Sequence, residues 1–260
     1  MRHWLDERRP TIGNVSNGEE MSISRVGMDL YEKVFKHYTK KQWNKYPVDL
    51  DASVLARLPV RLTKEDRYFN DPYEGLPKEG YTKLFENLLL HDPNIDVRLQ
   101  TDYFKVQHRL PKHKKLIFTG PIDAFYAHHG WPKLEYRSIY FETEYLEPSS
   151  GFFQPAWMVN YPGPEVKWTR IAEYKHMPNQ PQDSLSHKGT VIYREYSTDE
   201  GDPYYPVPNE RNRALYQKYQ RLAAQEANVI FVGRLASYKY FNMDEVSKYL
   251  CYHAGSSFFI

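Results

Sequence analysis

The sequence contains no Gly-x-Gly-x-x-Gly turn, the signature of the commonest dinucleotide-binding domains. Its single cysteine, Cys251, excludes an internal disulfide and favours a cytoplasmic location. The formal net charge is +2 over 260 residues, so no overall field favours nucleic acid or an anionic membrane as a partner. No apolar run reaches the length of a membrane span. These absences predict a cytoplasmic globular protein that binds neither nucleic acid nor a bilayer.

Tyrosine is abundant: the chain has 23 tyrosines, and aromatic residues make up 16% of it. A tyrosine combines a flat apolar face with a hydroxyl donor, which suits pockets for sugars and nucleotides. It suits the surface of a β-sheet equally well. The tyrosine content alone therefore leaves both interpretations open.

Hydrophobic periodicity divides the chain into helical and extended parts. A 3.6-residue period predicts helices ending near Trp43, over residues 81–90, and from a cap at Asn209. Strict alternation predicts a half-buried strand over residues 95–99, and a continuous apolar run predicts a strand buried on both faces over residues 116–120. Four more strands follow without intervening helices, which favours an antiparallel sheet. They are Arg137–Thr143, Ala156–Tyr161, Trp168–Tyr174 and Thr190–Tyr196.

A strand, a turn and a helix start follow one another near the C-terminus. Residues 229–232 form a short apolar strand, and Gly233-Arg234 ends it. Asn242 with Glu245 three residues later predicts a capping box and a helix with free amide groups at its start. Such a helix N-terminus suits an anion or an electron-rich ring edge.

Eight segments in collinear order carry a resemblance to a known family. They are Tyr38–Trp43, Leu58–Arg61, Tyr68–Pro77, Phe118–Asp123, Leu134–Ser138, Thr169–Ile171, Gly201–Val207 and Gly233–Met243. Together they resemble the UDP-galactopyranose mutases, over most of the chain from about Trp4 to Leu250. One such segment would be weak evidence, whereas eight in order are specific.

The resemblance implies an isomerase that interconverts UDP-galactopyranose and UDP-galactofuranose. It also implies FAD in its reduced form, with no net redox change. The product of this family feeds cell-surface glycans such as lipopolysaccharide and cell-wall polymers. UDP-galactose is then the expected small-molecule partner.

The resemblance also assigns roles to individual residues. Arg61 and Arg170 match the family's catalytic arginine pair, and guanidinium forks suit the pyrophosphate of a leaving UDP. Three tyrosines match hydroxyl donors to the diphosphate: Tyr68, Tyr205 and Tyr240. Asn160 matches a contact on the sugar or nucleotide side. Tyr38, Thr39 and Trp43 match the uridine pocket and the mobile loop that closes over substrate.

For the cofactor, the resemblance assigns the strand-end turn Gly233-Arg234 and the helix that meets the isoalloxazine. That helix corresponds to Asn242, Met243, Asp244, Glu245, Val246, Ser247 and Lys248. Since the family's glycine-rich FAD module precedes the residues matched here, we expect this chain alone to bind FAD incompletely. A complementary FAD-binding chain or a homo-oligomer is the expected partner.

The resemblance implies an α+β fold with three regions. They are a helical substrate-binding region (1–57), a mixed or antiparallel sheet substrate domain (58–115 and 131–205) and the C-terminal part of a Rossmann-like FAD domain (116–130 and 206–260). No metal site is predicted, because the adjacent His128 and His129 have no partner at ligand spacing.

Three other interpretations stay open from the sequence. The chain could be a non-catalytic UDP-sugar-binding or interaction protein derived from the mutase, or one half of a split enzyme. A flavin amine-oxidase-like enzyme is disfavoured because the arginine pair and the tyrosine donors suit a diphosphate.

Overall fold

The computed structural model describes residues 2–65 and 67–257; residues 1, 66 and 258–260 of the three predicted regions lie outside the described part. Its helices are α1 (Arg2–Arg8), α2 (Gly18–Leu30), α3 (His37–Trp43), α4 (Ser53–Ala56), α5 (Gly80–Leu89), α6 (Tyr103–Val106), α7 (Ile122–Phe125), α8 (Gln182–Ser186), α9 (Glu210–Ala223) and α10 (Met243–Ser257). Its strands are β1 (Leu116–Phe118), β2 (Tyr136–Leu146), β3 (Met158–Asn160), β4 (Arg170–Ala172), β5 (Thr190–Thr198), β6 (Tyr205–Pro206) and β7 (Val229–Phe231).

Five strands form one antiparallel sheet in the order β3-β4-β5-β2-β6. Its centre is the long pair β2–β5, in register from Ser138 opposite Thr198 to Leu146 opposite Thr190. Strands β1 and β7 pair in parallel as a separate two-stranded unit. The predicted α+β class and antiparallel sheet are therefore confirmed.

Local capping explains where the helices begin and end. A π-helical turn joins α2 to α3, and α3 ends at Trp43 because Asn44 adopts a left-handed conformation with φ 54°. The side chain of Asn209 accepts a hydrogen bond from the Asn212 amide and starts α9. The predicted helix end at Trp43, the helix over 81–90 and the cap at Asn209 are confirmed.

Two predictions about strands are wrong. Residues 95–99 are irregular and exposed, and Arg98 pairs with Asp96 of the same segment instead of lying in a sheet. Strand β1 is buried on one face only: Ile117 is 45% exposed while Phe118 is buried. In the described residues β1 pairs with one strand, β7, and the face that carries Ile117 stays open to solvent.

Two apolar clusters lie in the core of the described residues. One lies beneath α3 and α4, and the other joins α7 to α9. No helix in the described ranges is both long and apolar enough to cross a bilayer. The first cluster contains Trp43, Leu50, Val54, Leu55 and Val207, and the second contains Ile122, Tyr126, Leu134, Leu215 and Tyr219.

A buried carboxylate fixes the chain directly after β4. Glu173 is 0% exposed and accepts hydrogen bonds from the amides of Phe153 (3.0 Å) and Gln154 (3.0 Å) and from the Thr190 hydroxyl (2.7 Å). Burial raises the pKa of its carboxyl, but these bonds and His176 outweigh burial and leave the pKa below its ordinary value. The carboxylate therefore stabilises the fold in its charged form.

Glu173→Leu is expected to lower the free energy of unfolding at pH 7 by about 3–5 kcal/mol, because it leaves three buried donors without an acceptor. The effect should fade in acid. A lowered native pKa means that the contribution of Glu173 is complete above the unfolded-state pKa and is lost as the pH falls through the native one. Urea unfolding across pH 7 to 3 measures both. Glu142→Leu, at an exposed position of the same sheet, is the matched control; an equal loss there would contradict the assignment.

Candidate functional site

Three polar residues form one row across the sheet. Asn160 of β3 lies opposite Arg170 of β4, and Arg170 lies opposite Glu195 of β5. Opposed residues of antiparallel neighbours project from the same face, so all three side chains share one surface. Arg170 binds the Glu195 Oε2 through Nε at 2.8 Å and through Nη2 at 2.8 Å.

The Arg170–Glu195 pair is a fixed cation held by a nearly buried carboxylate. The Glu195 side chain is 6% exposed and that of Arg170 is 26% exposed. Burial lowers the pKa of Arg170, but the charge and hydrogen bond of Glu195 outweigh burial and leave that pKa above its ordinary value. Nη1 of Arg170 lies 3.5 Å from the sulfur of Met158, a weak acceptor. This nitrogen can therefore donate to an anion.

Helix α3 lies over the same face of the sheet. Tyr38 donates its hydroxyl to Asn160 Oδ1 at 3.5 Å, and Thr39 beside it is buried. Burial raises the pKa of Tyr38 to about 12, although the charge of Arg170 acts in the opposite direction. The Tyr38 hydroxyl thus keeps its proton at neutral pH and remains a donor.

Three aromatic rings form a wall beside this row. The rings of Tyr205 and Tyr240 stack with centroids 5.5 Å apart and planes 10° apart. Trp43 lies edge-on to Tyr205 at 6.1 Å and packs on Leu50 and Val207. The Trp43 ring is buried at the end of α3. Its predicted place in a loop that closes over substrate stays a prediction.

Two guanidinium groups flank Tyr240. The Arg57 carbon Cζ lies 3.8 Å from the ring centroid and Nη2 donates to the hydroxyl at 3.2 Å, while the Arg234 Cζ lies 4.1 Å from the same centroid. Burial raises the pKa of Tyr205, while the charges of Arg170 and Arg234 both act to lower it. The positive groups therefore converge on this wall.

Arg234 has unused donors. Its Nε and Nη2 are buried and have no hydrogen-bond partner in the described residues. Buried donors of this kind are rare in folded proteins and cost stability unless a ligand or water accepts from them. An anion between these arginines and the tyrosine hydroxyls would satisfy them.

The turn before Arg234 and the start of α10 lie next along the chain. Gly233 has φ 94°, a left-handed conformation that glycine adopts without strain. The Asn242 amide donates to Glu245 Oε2 at 2.7 Å, so the predicted helix start is confirmed, with α10 beginning at Met243. The other predicted flavin contacts, Asp244, Val246, Ser247 and Lys248, lie on the first turns of this helix.

Comparison with known proteins decides the family. The family model described as UDP-galactopyranose mutase matches residues 33–240, which include this site as far as Tyr240. The chain belongs to this family. A crystal structure of reduced UDP-galactopyranose mutase has a TM-score of 0.61 and 16% identity, over 92% of this chain and 68% of that one. At that identity the likeness shows the fold alone.

Curated relatives agree with the mutase family. A probable UDP-galactopyranose mutase of Klebsiella pneumoniae is 40% identical over 87% of this chain and 57% of its own length. A dTDP-fucopyranose mutase of Escherichia coli is 38% identical over 90% and 62%. A UDP-galactopyranose mutase of Mycoplasma pneumoniae is 30% identical over 94% and 63%. The chain thus spans less than two thirds of the length of each.

Two residues predicted from the mutase resemblance lie apart from the polar cluster of this site, which is defined by Arg57, Arg170, Glu195, Tyr205, Arg234 and Tyr240. Arg61 donates through Nη2 to the carbonyls of Tyr68 (3.3 Å) and Phe69 (3.3 Å) and to Asn70 Oδ1 (2.7 Å). The Tyr68 ring is exposed and packs on Phe69. In the described part of the chain, no hydrogen bond or ring contact joins either residue to Arg170 or Tyr240. Their predicted roles in a mutase stay predictions.

Two residues of the cluster were not found from the sequence. Arg57 directly precedes the Leu58–Arg61 segment, whose one arginine, Arg61, drew the catalytic assignment. Glu195 alternates with its neighbours Arg194 and Tyr196 along β5, as any strand residue does. Its pairing with Arg170 depends on the register of β4 and β5. The sequence held a signal for Arg57, since this second arginine lies four residues before Arg61. It held no signal for the pairing of Glu195 with Arg170.

Proposed function

We propose that this chain provides the sugar-nucleotide site of a UDP-galactopyranose mutase, which interconverts UDP-galactopyranose and UDP-galactofuranose with reduced FAD. The observation that carries the proposal is the buried, partnerless guanidinium edge of Arg234 in an aromatic wall with Arg170 nearby. A diphosphate supplies the acceptors that these donors lack.

The substrate is placed by groups of known chemistry. Nη1 of Arg170, the free edge of Arg234 and the Arg57 guanidinium bind the diphosphate, with hydroxyls of Tyr205 and Tyr240 as further donors. Negative charge grows on the β-phosphate as UDP leaves the anomeric carbon. Fixed cations in a partly buried site stabilise that charge without rearranging.

The uridine and the sugar occupy the neighbouring surface. Tyr38, Thr39 and Trp43 of α3 form the uridine pocket, and Asn160 contacts the sugar or nucleotide side. Since the Tyr38 hydroxyl keeps its proton at neutral pH, it acts as a donor and not as a base.

The residues assigned to FAD fit that group on two counts. The first-turn amides of α10 have no carbonyl partners within the helix, and Gly233 provides a turn that a side chain would strain. The Gly233 turn and residues 242–248 would hold the flavin ring, whose reduced form is anionic near N1. Arg234, which the resemblance assigns to FAD, binds the diphosphate in this proposal. When bound, reduced FAD supplies the nucleophile for the anomeric carbon.

The location, partner and product follow from the same proposal. The reaction takes place in the cytoplasm and its product feeds cell-surface glycans. The exposed outer face of β1, where Ile117 lies open, supports association with a complementary FAD-binding chain or a second copy of this one.

One relative favours a second substrate. Since the E. coli relative is named a dTDP-fucopyranose mutase and is 38% identical, a dTDP-hexose is the alternative to a UDP-hexose. Both present a pyrimidine, a diphosphate and a hexopyranose to the same cations and hydroxyls. Direct comparison of the two nucleotides decides between them.

Calorimetric titration of the purified chain tests the proposal. We expect UDP and UDP-galactose to bind, Arg234→Met to abolish most of that binding, and Arg194→Met, on the opposite face of the sheet, to leave it unchanged. Conversion of UDP-galactofuranose is then assayed with FAD and dithionite. Binding without conversion would favour a non-catalytic binding protein or half of a split enzyme. Tighter binding of dTDP-fucose would change the substrate, and no binding of either nucleotide would refute the proposal.

A further inference from the structure

Arg137 of β2 reaches out of the sheet to the end of α3. Its side chain is 4% exposed. Nε donates to the Gln42 carbonyl at 3.0 Å and to the Ser197 hydroxyl at 3.2 Å, and Nη2 lies 3.5 Å from the Lys41 carbonyl. These carbonyls belong to the last turn of the helix, which has no amides of its own to offer them.

Neighbouring groups complete a clamp, defined here as Arg137, Ser197 and Asp199. Ser197 donates its hydroxyl to the Gln42 carbonyl at 2.6 Å. Asp199 pairs with Arg137 and accepts from the Asn44 side chain at 2.8 Å. A buried cation at a helix C-terminus also complements the helix dipole, which adds to the hydrogen bonds.

Helix α3 makes a second cross-link in the opposite direction. Lys41 extends from the helix to the loop between β3 and β4, where it donates to the carbonyls of Trp168 (3.0 Å) and Tyr161. The sheet therefore holds the C-terminal end of α3 through Arg137, and α3 in turn holds the β3–β4 loop through Lys41. Tyr38 and Trp43, assigned above to the uridine pocket, lie on this one helix.

We infer that Arg137 is a positioning residue for sugar-nucleotide binding: it fixes α3 on the sheet so that Tyr38 and Trp43 face the Arg170 row before ligand arrives. The inference rests on the proposed function, since it concerns the same site. Arg137 acts through the helix backbone and contacts no predicted ligand group itself. Without the clamp α3 is free to move, so part of the binding free energy is spent on ordering the helix and the affinity for UDP falls.

Arg137→Met tests the clamp in the full chain. Hydrogen exchange of the α3 amides, measured without ligand, should accelerate by about tenfold or more, and UDP should bind about tenfold more weakly. Arg194→Met is the matched control: Arg194 of β5 is likewise a sheet arginine with a mostly buried side chain and carboxylate partners, but it lies on the other face of the sheet. It should change neither readout. Ser197→Ala removes only the hydroxyl contacts and should produce the same two changes to a smaller extent if Arg137→Met does not fold.

The outcomes separate the clamp from the function. Unchanged α3 exchange in the variants would refute the clamp. Faster exchange with unchanged UDP affinity would leave Arg137 a merely structural residue and overturn the inference. The proposed function has a separate test: it is refuted if the unmodified chain binds neither UDP nor dTDP-fucose, whatever the variants do.

Discussion

Arg170→Met is expected to weaken UDP binding by about 100-fold or more, the range found when one partner of a buried charge pair is truncated. Two effects act in the same direction. The diphosphate loses a cation, and the Glu195 carboxylate, 6% exposed, is left without its partner on the surface that the anion approaches. Calorimetric titration with UDP measures the affinity, and thermal unfolding of the same sample reports on the fold.

Loss of fold must be separated from loss of the site. An unpaired Glu195 destabilises the sheet, so Arg170→Met/Glu195→Gln is the companion variant, with the buried charge removed. We expect it to recover stability and to remain poor at binding UDP. Recovery of both would show that Arg170 serves only to neutralise Glu195. Arg170→Lys keeps the charge without the fork and should fall between the unmodified chain and Arg170→Met.

The sequence predicted the sheet well because its strands carry their own signals. β2 and β5 are long extended runs that breaks set apart: Pro148 follows the end of β2, and Gly189 and Gly201 flank β5. Residues 95–99 alternate strictly and form no strand. The difference is a partner: alternation describes a surface that can be half-buried, and only a neighbouring strand buries it. Periodicity in a single segment cannot supply that information.

The site was predicted in part, and for a physical reason. Tyr205, Tyr240 and Arg234 each lie in a matching segment and meet in the structure, whereas the resemblance assigned the two tyrosines to the diphosphate and Arg234 to FAD. Those roles stay predictions. Glu195 was missed because its role follows from the register of two strands far apart in sequence. Contacts between distant segments decide electrostatics, and local residue patterns do not encode them.

The second large effect distinguishes two arginines of one segment. Arg57→Met is expected to weaken UDP binding by about 10- to 100-fold, the cost of losing one hydrogen bond to a charged group and its orientation of Tyr240. Arg61→Met is the matched control, four residues along the same chain. Its guanidinium is occupied by the loop at Tyr68, and we expect a change of about twofold or less.

The comparison is informative because the resemblance assigned Arg61 to the catalytic pair. If Arg61→Met causes the larger loss, Arg61 must move onto the Arg170 row when ligand binds, and the sequence-based assignment holds. If Arg57→Met does, the ring of Tyr240 already marks the diphosphate position in the structure. Arg57 stacks on that ring at 3.8 Å, whereas the hydrogen bonds of Arg61 within the described residues go to Tyr68, Phe69 and Asn70. We therefore expect the second result.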